Sequence, residues 1–181
     1  MVMEIEINEE IKLKRFSLEL VNEFYKSIHE FEDPSDDYRV RLQNKHKTLK
    51  NTKAVIVDAI DNKFLLDGTP DFFIYYRGKI AGVFEFAPLQ DNLDFVEVGY
   101  WLYKPYRRRG ILSFIFPTMI NYAIEHFDRP RLIATTSLEN LPSQKLLEKC
   151  SFRNTGKIEE FKKESGVVEK DVEYEIILHH I

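Results

Sequence analysis

The sequence is poor in several features that mark whole classes of protein. Among its 181 residues there is one cysteine, Cys150, so an intramolecular disulfide framework is impossible. No run reaches the ~18 apolar residues of a membrane span. The opening stretch, M-V-M-E-I-E-I-N-E-E, is acidic and has no apolar segment of signal-peptide length. A soluble, cytoplasmic chain that does not engage a membrane is therefore expected. Positive charge is not in excess: 26 Lys and Arg stand against 30 Asp and Glu, for a net charge of −4. That balance argues against a general nucleic-acid binder, which is usually basic. The five histidines (His29, His46, His126, His179, His180) lack ligand spacing apart from the adjacent terminal pair, so no metal is expected. No repeat, low-complexity tract or interdomain linker interrupts the chain.

What is present suits one globular unit. Hydrophobic residues make up 44%, enough for a proper core, and 181 residues is the length of one domain, so 1–181 is expected to be a single domain. Ile11 to Phe16 alternates as a half-buried strand does. Ser17 is a candidate N-cap, and Leu18, Val21, Phe24, Tyr25 and Ile28 follow at helical spacing. Asp33-Pro34-Ser35-Asp36-Asp37 ends that helix, and Tyr38 to Lys53 is polar and basic. A second helix is expected from Thr52, near its cap, to Leu66, stopped by Asp67-Gly68-Thr69-Pro70. Asp71–Tyr76 and Ile80–Phe86, joined by Arg77-Gly78-Lys79, read as a hairpin. Pro88 to Asn92 then leads into a strand at Asp94–Tyr103, and the three strands should run antiparallel in sequence order.

The most informative stretch is Val96 to Phe152. The Asp94–Tyr103 strand ends at Pro105, and Gly110 opens a helix to about Phe127, with Pro117 expected to bend it. A glycine-containing turn running into a helix leaves backbone N–H groups aimed at one spot, backed by the helix dipole. Arg107, Arg108 and Arg109 sit at that spot, which makes it a candidate site for a polyanion such as the pyrophosphate of a nucleotide cofactor. Arg131 to Thr136 reads as a buried strand, parallel to Asp94–Tyr103 because a helical crossover joins them. Asn140 starts the next helix, with Pro142 in its first turn. Phe152–Phe161 and Val168–Leu178 form a second hairpin around Glu164-Ser165-Gly166. The fold class is α/β (α+β): a mixed, mostly antiparallel sheet of about seven strands flanked by helices.

These residues resemble the GCN5-related N-acetyltransferase superfamily, within it the branch that acetylates ribosomal-protein N-termini. The matches are Glu97-Val98-Gly99-Tyr100-Trp101, then Arg107-Arg108-Arg109-Gly110-Ile111-Leu112, then Asn140-Leu141-Pro142-Ser143 continuing to Lys149-Cys150-Ser151-Phe152, with Gly156 and Asp171-Val172-Glu173-Tyr174 beyond. Two positions depart from the family pattern: Leu112 stands where Gly or Ala is usual, and Ser151 where Gly is usual. The resemblance implies an acetyl-CoA-dependent N-acetyltransferase whose acceptor is a protein N-terminal α-amine or a small amine, with a homodimer left open.

Acetyl transfer from a thioester needs a bound donor, a neutral amine, a polarised carbonyl and a proton for the thiolate. The backbone N–H groups from Arg108 through Gly110, Ile111 and Leu112 to Ser113 are the candidates for the pyrophosphate, with the side chains of Arg107, Arg108 and Arg109 adding charge-assisted contacts. The amide-rich pantetheine arm can pair with Trp101, Leu102 and Tyr103, where divergence from Ile133–Thr135 would make room. Glu97 is the candidate base, set on a strand rich in apolar residues; the alternative is an outward carboxylate paired across the sheet. The resemblance assigns Ser143 to the departing thiolate and Asn140 to the pantetheine. Capping, with Asn140 as N-cap and Ser143 at N3, is the competing and compatible reading. The tyrosine many superfamily members use as acid would fall at Leu147, where it is absent. Cys150 reads as a small hydrophobe, since a reactive thiol needs a base and an electropositive setting. With no activated nucleophile, direct attack in a ternary complex is the simpler course. The alternatives are a non-catalytic acyl-CoA-binding module, for which Leu112 would speak, and a polyamine-type acetyltransferase, for which an acidic cleft lined by Asp33, Asp36, Asp37, Asp91 and Asp94 would speak.

Overall fold

The computed structural model describes residues 3–30, 42–61, 71–88, 94–162 and 168–178. In chain order the strands are β1 (Glu4–Glu6), β2 (Ile11–Arg15), β3 (Phe72–Tyr76), β4 (Lys79–Pro88), β5 (Val96–Leu102), β6 (Arg131–Ser137), β7 (Arg153–Lys162) and β8 (Val168–Ile177). The helices are α1 (Val21–Glu30), α2 (Leu49–Asp61), α3 (Ile111–His126) and α4 (Leu141–Lys149). The strands hydrogen-bond in one sheet in the order β1-β2-β3-β4-β5-β6-β8-β7. The β5–β6 pair is parallel, whereas β1–β2, β2–β3, β3–β4, β6–β8 and β7–β8 are antiparallel. The expected α/β architecture with its mixed, mostly antiparallel sheet is therefore present, with eight strands where about seven were expected. The additional strand is β1, which is short and acidic and gains its place across the sheet. Glu4 lies opposite Lys14 and bonds Lys12 Nζ at 3.0 Å.

The chain forms two compact units: residues 1–86 with 100–111, and residues 87–99 with 112–181. In the first, Val21, Phe24 and Ile28 of α1 and Ile56 of α2 pack with Phe73, Tyr75, Ile80, Val83 and Tyr103. Three of the positions expected at helical spacing are thus in the core; Tyr25 is half-buried, beside the His29 ring, and Leu18 is exposed and lies in a 3-10 turn capped by Ser17. The α2 helix begins at Leu49 and not at Thr52. Thr48 Oγ1 accepts the Asn51 N–H at 3.1 Å, while Thr52 is buried inside the helix and faces His46 Nδ1 at 3.3 Å. The polar stretch before α2 thus contains a fully buried ring. Burial, with the charge of Lys45, lowers the His46 pKa to about 4. The expected breakers at Asp33–Asp37 and Asp67–Pro70 and the hairpin turn at Glu164–Gly166 lie outside the described residues, as do the start of the polar stretch at Tyr38, the end of the second helix at Leu66, His179, His180 and Asp91.

The β3–β4 hairpin turns as its sequence demands. Arg77 and Gly78 both have positive φ, 51° and 79°, the conformation of a tight two-residue hairpin turn. Its register then slips, with Ile74 opposite Gly82 but Tyr75 opposite Ile80, so Ala81 bulges from β4. The Ala81 carbonyl accepts the Tyr103 N–H at 2.9 Å. Backbone comes so close here that a Cβ on Gly82 would sit 2.0 Å from the Trp101 carbonyl oxygen. Asp71 directly precedes β3. Burial, then the Glu85 charge, raises the Asp71 pKa to about 8, against a backbone hydrogen bond from Phe86 and the charge of Arg15. Burial also raises Glu85.

In the second unit, α3 runs without interruption from Ile111 to His126 with Pro117 on its exposed side. Its inner residues Ile115, Phe116 and Met119 are buried, and Phe116 meets Phe152 edge to face at 5.7 Å. The end of α4 explains one departure from the family pattern. Phe152 N–H bonds the Leu147 carbonyl and Ser151 N–H bonds the Glu148 carbonyl, while Phe152 and Leu147 are both buried. This is a Schellman ending, and its C′ residue is Ser151 at φ 69°, a left-handed position that favours glycine.

Two outcomes follow for stability. Replacing Ser151 by glycine removes left-handed strain and should raise the unfolding free energy by about 1 kcal/mol in urea titrations. Asp71 holds its proton in the folded state, so its contribution is full below its unfolded pKa and is lost as pH climbs from 3.8 to about 8. The unfolding free energy of wild type relative to Asp71→Asn should therefore decline over that window, by at most about 1.4 kcal/mol per pH unit, and stay flat above it.

Candidate active site

The turn after β5 is built by its own backbone and by two of its arginines. A 3-10 turn at Lys104–Tyr106 follows Tyr103, and Arg108 and Gly110 then take left-handed φ values of 62° and 75°. Arg107 Nε donates to the Leu102 carbonyl at 2.9 Å, and Arg109 Nε donates to the Pro105 carbonyl at 2.9 Å. The Arg109 guanidinium also lies over the Tyr76 ring at 5.9 Å, and Tyr106 meets that ring edge-on at 6.1 Å. Arg107, Arg108, Arg109 and Gly110 are all exposed. Alternating left-handed residues in a turn aim successive N–H groups outward, and Ile111 starts α3 directly behind them. The residues present therefore fit a diphosphate: exposed amides at a helix start, with three cations on the same turn. Ile111 is buried, and Leu112 and Ser113 are half-buried.

On β5, Tyr103 N–H and the Trp101 carbonyl both point to the β4 side, toward Ala81 and Gly82. By strand alternation the amide and carbonyl of Leu102 lie on the other edge. Trp101 is half-buried, edge-on to Tyr103 at 4.9 Å, and the Tyr103 hydroxyl is 3.0 Å from Ser27 Oγ. Tyr103 is thus anchored in the core by both its backbone and its side chain.

In the second unit, the parallel ladder registers Val96 with Leu132 and Glu97 with Ile133. Beyond Ile133, β6 continues to pair with β8 through Ser137 opposite Asp171, while Val98 and Gly99 have no register partner on β6 among the described residues. Glu97 has a hydroxyl partner on the neighbouring strand. It is half-buried, and Thr135 Oγ1 donates to its Oε1 at 2.9 Å in an exposed position. The carboxylate expected on this strand is held by a hydroxyl. Thr135 was missed in the sequence, because only the parallel register reveals that the two residues meet.

Asn140 and Ser143 take the capping places expected of them. Asn140 is the N-cap of α4, its Oδ1 accepts the Ser143 N–H at 3.4 Å, and its carbonyl accepts the same N–H at 3.0 Å. Asn140 is exposed and Ser143 half-buried. Leu147 is fully buried in the core, so its position offers no acid. Cys150 is half-buried where a buried hydrophobe was expected, and burial raises its thiol pKa. A raised thiol is a poor nucleophile near neutral pH. Among the described residues no group of three or more His, Cys, Asp or Glu side chains gathers as a metal site would require.

The comparisons agree with this geometry. A family model described as an acetyltransferase (GNAT) domain matches residues 11–153. A protein of Bacillus subtilis (strain 168) that bears the name of a ribosomal N-acetyltransferase, YdaF, is 26% identical over 84 residues. That match covers 46% of this chain and 46% of the relative, so the chain aligns with just under half of that protein's length. Among solved structures, the microcin C7 self-immunity acetyltransferase MccE in complex with acetyl-CoA and AMP superposes with a TM-score of 0.76 at 20% identity, over 96% of this chain and 95% of that one. RimL, a ribosomal L7/L12 α-N-protein acetyltransferase in complex with coenzyme A, gives 0.79 at 17% identity over 97% and 98%. The acetyltransferase that modifies the N-terminal serine of L7/L12 in Salmonella typhimurium gives 0.74 at 16% identity over 98% and 100%. At these identities the structural matches establish the fold, and the domain match over most of the chain establishes the family: this protein belongs to the GNAT acetyltransferases.

Proposed function

We propose that the protein is an acetyl-CoA-dependent N-acetyltransferase acting on a primary amine, with a protein N-terminal α-amine as the favoured acceptor. The observation that carries the reading is the exposed turn at Arg107–Gly110, with its left-handed Arg108 and Gly110 directly ahead of α3. The domain match spans residues from both compact units, which supports reading 1–181 as one catalytic domain. The relatives named for ribosomal proteins support a peptide N-terminus over a polyamine. Of the aspartates that could line an acidic cleft, Asp94 alone is among the described residues, and it is exposed.

In this reading the N–H groups of Arg108 to Ser113, with the three arginines, hold the donor's pyrophosphate. The Leu102 edge of β5, flanked by Trp101 and Tyr103, offers backbone groups to the pantetheine amides. The Asn140 cap uses Oδ1, so its Nδ2 donors are the atoms that meet the cofactor. An amine with a pKa of about 8 to 10 is mostly protonated at neutral pH, and Glu97 takes its proton, directly or through one water. The neutral amine then forms the new C–N bond, the donor's C–S bond breaks, and the Ser143 hydroxyl donates to the departing sulfur. The half-buried Cys150, with its raised thiol, supports transfer without a covalent enzyme intermediate.

No described helix is long and apolar enough to cross a membrane, which is compatible with the cytoplasmic setting we assign. A homodimer belongs to the same proposal and is tested by sedimentation.

Acetyl-CoA binding tests the reading. Calorimetry on the wild type should give a dissociation constant of about micromolar order, equivalent to roughly −8 kcal/mol. Proline cannot adopt the φ of 75° found at Gly110, so Gly110→Pro should abolish binding. Arg108→Glu, which changes only an exposed side chain, should weaken it about tenfold and flatten its salt dependence. A folded wild type that does not bind acetyl-CoA would exclude the acetyltransferase reading.

A further inference from the structure

The residues that line one face of the central strands show an arrangement that the reaction scheme above does not use. On β6, Leu132, Ala134 and Thr136 are all buried on one face, whereas Thr135 on the opposite face is exposed. Thr135 is flanked by two carboxylates. Glu97 lies on the parallel neighbour β5, and Glu173 stands directly opposite it on the antiparallel neighbour β8. Side chains directly opposite in an antiparallel pair share a face, with Cβ atoms about 5 Å apart. A threonine hydroxyl has one proton to donate, so it can serve only one of the two acids well.

The structure records which one. Thr135 Oγ1 donates to Glu97 Oε1 at 2.9 Å. Glu173 is served from elsewhere: Lys157 Nζ lies 3.1 Å from Glu173 Oε2. Farther along the same face, Glu175 is likewise occupied, by Arg131 at 2.8 Å and by Arg153 at 2.8 Å. The two β8 carboxylates therefore have cationic partners, and those guanidinium hydrogen bonds hold Glu175 below its ordinary pKa. Glu97 has a neutral donor and no cation among the described residues. A cation would fix Glu97 as a permanent anion and oppose proton uptake. A hydroxyl fixes its geometry without adding a charge beside it.

We propose that Thr135 is a positioning residue for acetyl transfer: its hydroxyl holds Oε1 of Glu97 in one rotamer, so that Oε2 is presented to the ammonium of the acceptor. The inference rests on the reading of Glu97 as the base. Thr135 touches neither acceptor nor donor in this account; it acts through Glu97. The Lys157–Glu173 pair contributes by removing the competing acceptor.

The test is a set of variants assayed for acetyl transfer to a peptide N-terminus and to a small primary amine across pH. Thr135→Val keeps the branched shape that suits a strand and deletes the hydroxyl. It should lower kcat/KM for the acceptor about tenfold, as expected for losing one charge-assisted hydrogen bond. Its acidic limb should move to higher pH, and acetyl-CoA affinity by calorimetry should be unchanged. Thr135→Ser restores a hydroxyl at the same place and should recover most of the rate. In the Glu97→Gln background, Thr135→Val should have no further effect, the non-additivity expected of two residues acting as one unit. The positioning role is overturned if Thr135→Val leaves rate and pH profile unaltered while Glu97→Gln loses activity. It is also overturned if the Thr135→Val loss persists undiminished in the Glu97→Gln background. A fully active Glu97→Gln enzyme overturns the assignment of the base itself, and is distinguishable because the single Glu97 variant alone reveals it.

Discussion

The short parallel ladder between β5 and β6 is the constraint on which the rest depends. Two registered pairs, Val96 with Leu132 and Glu97 with Ile133, hold the strands together at their beginnings. Past them β6 stays bound to β8 through four registered pairs, from Ala134 opposite Tyr174 to Ser137 opposite Asp171. Within the first unit, the end of β5 and the residue after it lie against the bulged β4: Tyr103 N–H bonds the Ala81 carbonyl, and the Trp101 carbonyl lies close to Gly82. Leu102 is the residue whose amide and carbonyl lie on the edge away from β4, and the Arg107 side chain already caps its carbonyl. The bulge at Ala81 and the glycine at 82 make this possible. A side chain at position 82 would collide with the Trp101 carbonyl, and β4 and β5 could not approach so closely.

The same economy governs the turn that follows. Its arginines serve two ends at once, with Nε atoms bracing carbonyls of Leu102 and Pro105 and with charge left on an exposed surface. The left-handed residues Arg108 and Gly110 differ in kind. Glycine adopts such a conformation freely, whereas arginine bears a steric cost there. Strain of this sort persists where surrounding structure fixes the backbone, and it concentrates at ligand-binding turns. Ser151 carries a similar conformation at the end of α4, where the neighbouring Schellman bonds and the buried Phe152 hold it in place. There the cause is architectural.

Much of this was readable from local pattern. The β3–β4 hairpin, the Gly110 turn into α3 and the Asn140 cap of α4 each depend on a few adjacent residues, and the alternation of apolar positions marked β2. What escaped was long-range. The strand β1 is three residues of mostly glutamate, and only its pairing with Lys12 and Lys14 makes it a strand. Thr48 and Thr52 are equally good caps in sequence; the packing of Thr52 against the buried His46 decides between them. The burial of Asp71 beside Glu85 requires the β3–β4 register. The contact of Thr135 with Glu97 requires the register of two strands separated by a helical crossover. At Ser151 the sequence showed a departure from the family pattern without its consequence, since φ is not a property of residue type alone.

A crystal structure with coenzyme A bound tests the account most directly. The account places the diphosphate on the backbone N–H groups of Arg108 to Ser113 and a pantetheine amide on the backbone of Leu102. The thiol should lie within reach of Ser143, on the side where Glu97 meets Thr135. A diphosphate bound elsewhere on the protein, or a pantetheine arm that leaves Leu102 and Asn140 untouched, would contradict it.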